Sequence, residues 1–270
     1  MRISIIGLGW LGLPLAEALL NQGIQVIGST TSLEKKNVLE KKGIDTVFFK
    51  LNPHPIGLGF QTLFDADILI IMIPSKSKHQ SAEFYLEQLK YLRDLLINSD
   101  TKKIIFISST GVYPKHSSSA NYQEQEIITL PNSGNHTLLR AEELFQSNDS
   151  FKSTIIRFGG LMGADRIPIN YFSGKEHVDG ESRVNYIHQA DAVRMIEWVI
   201  STNLWNRLFN GVAPIHPKKR DVLEANALKL DIVPPKSYQN NENIAQRLID
   251  PSAILKTGFV FNFPDPVNFI

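Results

Sequence analysis

The stretch 1–31, MRISIIGLGWLGLPLAEALLNQGIQVIGSTT, decides the fold of this chain. A short apolar run ends at Gly7 and an apolar pattern with helical period follows Gly12, which predicts a strand, a glycine turn and a helix. In such a turn the first glycine lets the chain turn sharply, the second lets the backbone approach a pyrophosphate, and the third lets the helix pack against the sheet. Free N–H groups at the helix N-terminus favour a bound phosphate. We therefore predict a dinucleotide site formed by Gly7, Gly9, Trp10, Leu11 and Gly12.

Two other interpretations of this stretch are open. A glycine turn also occurs in ordinary α/β domains, and an apolar N-terminal stretch can be a secretory signal. The second is disfavoured because Glu17 interrupts the apolar stretch and no small-residue cleavage pattern follows Leu20. Pro14 lies in the first turn of the predicted helix, where its missing N–H is harmless, and Gly23 lies where that helix ends.

The composition disfavours several classes of function. The 28 Lys and Arg residues nearly balance the 27 Asp and Glu residues and form no basic run, so we expect no nucleic-acid partner. The lack of cysteine excludes disulfides and thiolate catalysis, and the seven scattered histidines predict no metal site. No apolar stretch reaches the roughly 20 residues that cross a bilayer. We expect a cytoplasmic protein that binds a small-molecule substrate and no membrane.

The order of the predicted elements gives the fold class. Short β-branched runs alternate with longer helical patterns, which is typical of α/β folds with a parallel sheet. We predict a Rossmann-type doubly wound parallel sheet with a small C-terminal substrate lobe. Residues 1–158 form the predicted dinucleotide-binding core, and residues 159–270, rich in glycine, charge and proline, form the predicted substrate lobe. A helix predicted at 188–201, starting with His188, returns to the core.

Side chains at the ends of the predicted strands indicate which dinucleotide is bound, because ligands of doubly wound sheets lie outside the carboxyl ends of the strands. A carboxylate that would bind a free ribose hydroxyl is missing after the second strand. The chain has Ser29, Thr30, Thr31 and Ser32 there, with Lys35 and Lys36 one helical turn later. Hydroxyls and a lysine suit a 2′-phosphate, so NADP is predicted and NAD is the alternative. Ser32 also fits a plain helix N-cap with both lysines in solvent.

Two more strand ends complete the predicted cofactor site. Ile73 and Pro74 follow the apolar run at 67–73, and Ser108 follows the strand predicted at 103–107. All three would lie at the carboxyl edge of the sheet, where we expect them to contact the cofactor.

Several motifs in order along the chain resemble a known family. The chain is similar to the extended short-chain dehydrogenase/reductases and the NAD-dependent epimerase/dehydratases, in a branch that opens with GxGWLGxPLA. The motifs that carry the resemblance, besides the glycine turn, are Ser108-Ser109-Thr110-Gly111-Val112-Tyr113, Ile156-Arg157-Phe158, Val184-Asn185-Tyr186-Ile187-His188-Gln189-Ala190-Asp191-Ala192 and Phe209-Asn210-Gly211-Val212-Ala213.

The resemblance implies a reaction and the residues that serve it. Its members use a Ser or Thr hydroxyl beside a Tyr-xxx-Lys pair, and Ser109 has the hydroxyl position, although a strand-end cap is the alternative for this serine. Thr110, Tyr186 and His188 would face the substrate. The implied activity is an NADP-dependent reductase, epimerase or dehydratase acting on a sugar-like or nucleotide-linked carbonyl. A homodimer through helices 79–98 and 137–146 is also implied.

The Tyr-xxx-Lys pair is missing where the resemblance places it. Tyr171 and Lys175 have the right spacing, but they follow the strand predicted at 153–158 and enclose Gly174, which weakens a helix, so we predict a loop of the substrate lobe there.

The segment that would carry the pair, 132–143, contains His136 and Arg140 with the correct four-residue spacing. Histidine titrates near neutral pH and arginine can contact a ribose or a phosphate, so we predict the two as a surrogate catalytic pair. The alternative is a histidine at a helix start and a surface arginine. The missing pair also leaves open a second function, an NADP-binding sensor or partner-binding module without hydride chemistry.

Overall fold

Strands and helices alternate along the chain. The computed structural model describes residues 1–75, 81–115, 120–163, 165–240 and 244–270. The strands are β1 (Arg2–Ile6), β2 (Gln25–Thr30), β3 (Asp45–Phe48), β4 (Lys50–Leu51), β5 (Pro55–Ile56), β6 (Ile68–Ile71), β7 (Lys103–Ser109), β8 (Ala120–Tyr122), β9 (Lys152–Phe158), β10 (Gly160–Met162), β11 (Tyr186–His188), β12 (Arg207–Gly211) and β13 (Arg247–Ile249). The helices are α1 (Gly12–Asn21), α2 (Leu33–Lys41), α3 (Ala82–Ile97), α4 (His136–Leu144), α5 (Ile169–Phe172), α6 (Gln189–Ser201), α7 (Lys219–Leu230) and α8 (Ser252–Leu255).

The central sheet has seven strands in the order β12-β9-β7-β6-β1-β2-β3. Strand β1 pairs in parallel with β2 on one side and with β6 on the other, in a register that aligns Ile3 with Ile68 and Ile5 with Ile70. The chain runs outward from β1 to β3, returns to β6 and then runs outward the other way. This change of direction between β1 and β6 opens a crevice at their carboxyl ends. The predicted Rossmann-type α/β fold is confirmed.

Two compact units make up the chain. The first comprises Met1–Val112, Asn135–Ile156 and Ile196–Leu208, and the second comprises Tyr113–Gly134, Arg157–Met195 and Phe209–Ile270. In the first unit, β1, β6 and β7 are lined by isoleucine, leucine and phenylalanine that are almost fully buried. Phe106 of β7 stacks on Phe145 with ring centroids 4.8 Å apart. These apolar contacts hold the strand ends in fixed positions.

The second unit contains two small parallel sheets, β10 with β11 and β13 with β8. Its C-terminal segment is fastened to the start of α6. The carboxylate of Asp191, which is fully buried, accepts hydrogen bonds from the backbone N–H groups of Asn262 and Phe263 at 3.0 and 2.8 Å, and from Arg194 at 2.8 Å.

Several predicted helix bounds differ from the structure, and the helix predicted at 137–146 is observed as His136–Leu144. His188 ends β11 instead of starting a helix, and α6 begins at Gln189. The ring Nδ1 of His188 accepts a hydrogen bond from the N–H of Ala190, which satisfies a donor at the start of α6. The helix predicted at 79–98 is described from Ala82, and residues 79 and 80 lie outside the described residues. None of the described helices has the length and apolarity that a membrane span requires.

Candidate functional site

The glycine turn is tied to the end of β2. Gly7 has φ +109°, a conformation that side-chain-bearing residues rarely adopt. Its N–H donates to Ser29 Oγ at 3.1 Å, and the N–H of Leu8 donates to the carbonyl of Ser29 at 2.8 Å. The turn therefore has a defined position beside the second strand, as the sequence motif predicts.

The other two glycines of the motif differ in what surrounds them. A Cβ added to Gly12 would lie 2.2 Å from the carbonyl oxygen of Gly7, so only glycine lets α1 begin against the turn. A Cβ added to Gly9 would meet nothing nearer than the Gly7 oxygen at 4.0 Å. Gly9 therefore has open space beside an exposed backbone, which is the geometry that a bound pyrophosphate requires.

A cleft of about 490 Å³ opens at the carboxyl ends of β1, β2 and β6. It brings together eight of the predicted cofactor residues: Gly7, Gly9, Ser29, Thr30, Thr31, Lys35, Ile73 and Pro74. The remaining lining residues are Ile6, Leu8, Ser32, Phe49, Lys50, Leu51, Met72 and Gln88. Among all the described lining residues of the cleft, Lys35 and Lys50 are basic and none is acidic. The glycine turn and this lining fit a dinucleotide.

The side chain of Lys35 extends from α2 to the glycine turn. Ser32 caps the helix, since its Oγ accepts a hydrogen bond from the N–H of Lys35 at 3.2 Å. The ammonium group of Lys35 donates to the carbonyl oxygen of Leu8 at 2.6 Å. Ser32 therefore caps α2, and the ammonium group of Lys35 lies in the cleft. A positive charge is thus placed beside the glycine turn.

Four predicted cofactor residues do not line the cleft. Leu11 and Gly12 are buried at the start of α1, and Trp10 is half-buried. The hydroxyl of Ser108 is buried and donates to Glu142 Oε1 at 2.5 Å, within the first unit. Leu11 and Gly12 therefore support the turn from its buried side and do not contact the cleft.

The sequence reasoning missed Phe49, Lys50 and Gln88 as cleft residues. Gln88 carried a signal that could have been used, because a glutamine interrupts the apolar face of α3 and yet is only 7% exposed. Phe49 and Lys50 carry no comparable local signal, since they follow a strand whose pairing is visible only in the folded sheet.

Ser109 lies at the end of β7, and its Oγ accepts a hydrogen bond from the N–H of Gly111 at 3.1 Å. The α4 face directed toward this strand end carries Leu138 and Glu142. A Cβ on Gly111 would lie 3.7 Å from Leu138 Cδ1, and Glu142 binds the hydroxyl of Ser108. Thr110 is buried in the 3₁₀ turn that follows.

His136 and Arg140 are both exposed on α4. Arg140 lines a groove between α3 and α4 together with Lys90 and Arg93. In the described part of the chain, no hydrogen bond or ion pair joins Ser109 to His136 or Arg140. The catalytic role of this pair stays a prediction.

The second unit holds the predicted substrate residues Tyr186 and His188. Burial raises the pKa of the Tyr186 phenol, which keeps it protonated as a hydrogen-bond donor. Burial lowers the pKa of His188, whose ring stacks on Phe263 with centroids 3.9 Å apart. Tyr113 is fully buried and donates to Asn210 Oδ1 at 2.8 Å, so its phenol serves packing.

Known proteins resemble this chain in both sequence and fold. A solved human structure, epimerase family protein SDR39U1 with NADPH, has 15% identity and a TM-score of 0.74, covering 99% of this chain and 97% of that one. The UDP-glucose 4-epimerase of Thermus thermophilus in complex with NAD has 16% identity and a TM-score of 0.76, covering 100% and 96%. At such low identity these two structures support the fold alone.

The sequence matches are more specific. The profile described as the NAD binding domain of 6-phosphogluconate dehydrogenase matches residues 2–141, which include the glycine turn and every cleft residue. Protein YeeZ of Escherichia coli strain K12 is 31% identical over 269 residues, covering 98% of this chain and 97% of that protein. The chain therefore belongs to the family of the NAD-binding domain of 6-phosphogluconate dehydrogenase over residues 2–141 and, over almost its whole length, to the family of Protein YeeZ.

Proposed function

We propose that the cleft binds NADP, and that the chain is an NADP-dependent reductase or epimerase of the epimerase/dehydratase type. One observation carries the choice of NADP over NAD: the cleft contains Lys35 and Lys50, and none of its described lining residues is a carboxylate. A carboxylate beside the ribose would accept hydrogen bonds from its 2′-hydroxyl but would repel a 2′-phosphate. Two lysines attract a 2′-phosphate instead.

Each part of the cleft has a role in this proposal. The N–H groups at the start of α1 and the exposed backbone of Gly9 hold the pyrophosphate. The hydroxyls of Ser29, Thr30 and Thr31 and the ammonium group of Lys35 surround the 2′-phosphate. NADP would supply a hydride donor or acceptor, while the chain's own residues bind and orient it.

Lys35 provides a direct test of the cofactor preference. Replacing it with methionine keeps most of the stem but removes the charge, so the affinity for NADPH should fall about 10- to 100-fold while the affinity for NADH changes little. Lys36→Met is the matched control, because Lys36 pairs with Glu40 on the surface of α2 at 2.6 Å. Fluorescence titration of both cofactors gives the dissociation constants. Equal loss for NADPH and NADH, or equal effects of the two substitutions, would contradict this role.

The substrate in this proposal is a sugar-like or nucleotide-linked carbonyl compound. The fold is shared with the UDP-glucose 4-epimerase of Thermus thermophilus, and this likeness supports the class. Ser109 and Thr110, at the end of β7, would contact the substrate. Tyr186 and His188 stay separate predictions as substrate residues of the second unit. Residues 159–270 would form most of the substrate side. A homodimer through α3 and α4 and a cytoplasmic location stay predictions.

A second function is favoured by a specific observation on α4. The helix face next to Ser109 presents the apolar Leu138 and the carboxylate of Glu142, which already binds Ser108. Neither of these side chains is a proton donor of the usual kind. An NADP-binding sensor or partner-binding module would require no such donor.

Turnover separates the two functions. The purified protein is mixed with NADPH and a panel of carbonyl compounds, and the loss of nicotinamide absorbance reports a reductase. It is mixed separately with NADP⁺ and a panel of nucleotide sugars, and the sugar products are analysed, because an epimerase first transfers a hydride from the sugar to the oxidised cofactor and returns it afterwards. Turnover of any compound supports the enzyme. Saturable NADPH binding without turnover across the panel supports the sensor.

His136 provides the test of the surrogate donor once a substrate is known. If it transfers the proton, His136→Ala should lower the turnover number by about 10²- to 10⁴-fold and leave NADPH affinity unchanged. Thr137→Ala, at the neighbouring half-buried position, serves as the control. Unchanged turnover in His136→Ala would assign the proton transfer elsewhere.

A further inference from the structure

Gln88 is an almost fully buried residue in the lining of the cleft. It lies on α3 and is 7% exposed. Its Nε2 donates to the carbonyl oxygen of Leu51 at 2.6 Å. Its Oε1 has no hydrogen-bond partner in the part of the chain that the structure describes.

The carbonyl of Leu51 fixes which way the amide points. If the amide turned over, Oε1 would face the Leu51 oxygen, and two acceptors without a proton between them repel each other. The oxygen of Gln88 is therefore held as an acceptor that is directed away from the Leu51 carbonyl. Gln88 Oε1 is not among the fully buried atoms without a partner, so it stays accessible in a residue that lines the cleft. A ligand that covers this oxygen should bring a donor, because an acceptor that loses its water without a new partner costs free energy.

The surroundings of Gln88 define the rest of that ligand. Phe49, Leu51, Met72 and Ile73 line the same cleft and give it apolar walls. A flat, mostly apolar ring with an amino group at its edge fits such a pocket, with the apolar face on these side chains and the amino group on the amide.

We infer that Gln88 Oε1 accepts a hydrogen bond from the 6-amino group of adenine and so selects adenine over 6-oxopurines. This inference rests on the proposed binding of NADP. A 6-oxopurine presents an acceptor where adenine presents a donor, so its oxygen would oppose Oε1. Turning the amide over to suit it would break the bond to Leu51. Gln88 is thus a specificity-determining residue for the base.

The test compares NADPH with its hypoxanthine analogue, which has a 6-oxo group and a proton on N1 where adenine has a 6-amino group and an unprotonated N1. Dissociation constants are measured by nicotinamide fluorescence for the wild type, Gln88→Met and the control Glu87→Gln. Glu87 is the neighbouring α3 residue, and it pairs with Lys90 at 2.6 Å outside the cleft. Thermal melting of each variant shows whether it is folded.

The wild type is expected to bind NADPH about tenfold more tightly than the analogue, which corresponds to one hydrogen bond in a buried site. In Gln88→Met the ratio should fall to about one, whereas Glu87→Gln should keep it. A wild-type ratio near one, or a ratio that Gln88→Met retains, would overturn the assignment while leaving NADP binding intact. Failure of both dinucleotides to bind would overturn the proposed function and this assignment together. The wild-type ratio requires no substitution, so the test does not depend on the folding of a variant.

Discussion

Replacing Gly12 with alanine is expected to lower the free energy of unfolding by about 3 kcal/mol and to abolish cofactor binding. The new Cβ would lie 2.2 Å from the carbonyl oxygen of Gly7 and 3.4 Å from the side chain of Ile5. The oxygen belongs to the backbone and cannot rotate away, so the start of α1 or the whole turn must move. Urea unfolding followed by circular dichroism measures the loss of stability, and a fluorescence titration with NADPH measures the loss of affinity.

Gly9→Ala is the matched control for this substitution. Its Cβ would enter open space, with the Gly7 oxygen 4.0 Å away, so stability should change by less than about 1 kcal/mol. The same methyl group would occupy the space in which the pyrophosphate approaches, so NADPH affinity should fall at least about tenfold. Equal stability losses in the two variants would contradict the different roles given to these glycines.

Replacing Asp191 with alanine is expected to lower the free energy of unfolding by about 3–5 kcal/mol. The fully buried carboxylate binds the N–H groups of Asn262 and Phe263 and the guanidinium group of Arg194, which also donates to the carbonyl of Val260 at 2.9 Å. Removing it leaves buried donors without an acceptor and releases the C-terminal segment from α6. Urea unfolding measures the change, and hydrogen exchange should show faster exchange in residues 259–263.

Asp265→Ala is the control in the same segment. Asp265 only caps a short 3₁₀ helix by accepting a hydrogen bond from the N–H of Val267 at 3.0 Å, so the expected loss is about 1 kcal/mol. If Asp191→Ala lowered the free energy of unfolding no more than Asp265→Ala does, Asp191 would not be what holds the C-terminal segment against α6.

The glycine turn and the cofactor end of the site could be predicted because their signals are local. The roles of Gly7, Gly9 and Gly12 follow from spacing alone, and the polar run Ser29–Thr31 begins within the last two residues of β2. Strand β1 is central and its neighbours are parallel, so residues far apart in sequence meet at one edge of the sheet. This explains why eight predicted residues line one cleft.

The direction of each helix face was harder to predict. The apolar spacing of α3 predicts an inner face of Ala82, Leu86, Leu89, Leu92 and Leu96. The last three are buried and Leu86 packs against the core, but Ala82 is exposed, and Tyr85 and Gln88 are buried as well. A polar residue within an apolar stripe does not reveal its partner, and the partner of Gln88 is a carbonyl 37 residues away in sequence. The position of Asp191 in the first turn of α6 predicts a charge that complements the helix dipole, but it does not reveal the backbone groups about 70 residues away that this carboxylate also binds.

The central claim, that the cleft binds NADP through the glycine turn and Lys35, is tested most directly by titrating the wild-type protein with NADPH and NADH under identical conditions. We predict saturable binding of both, with NADPH at least about tenfold tighter and this preference shrinking as salt screens the lysine. Tighter binding of NADH than of NADPH, or no binding of either, would contradict the account.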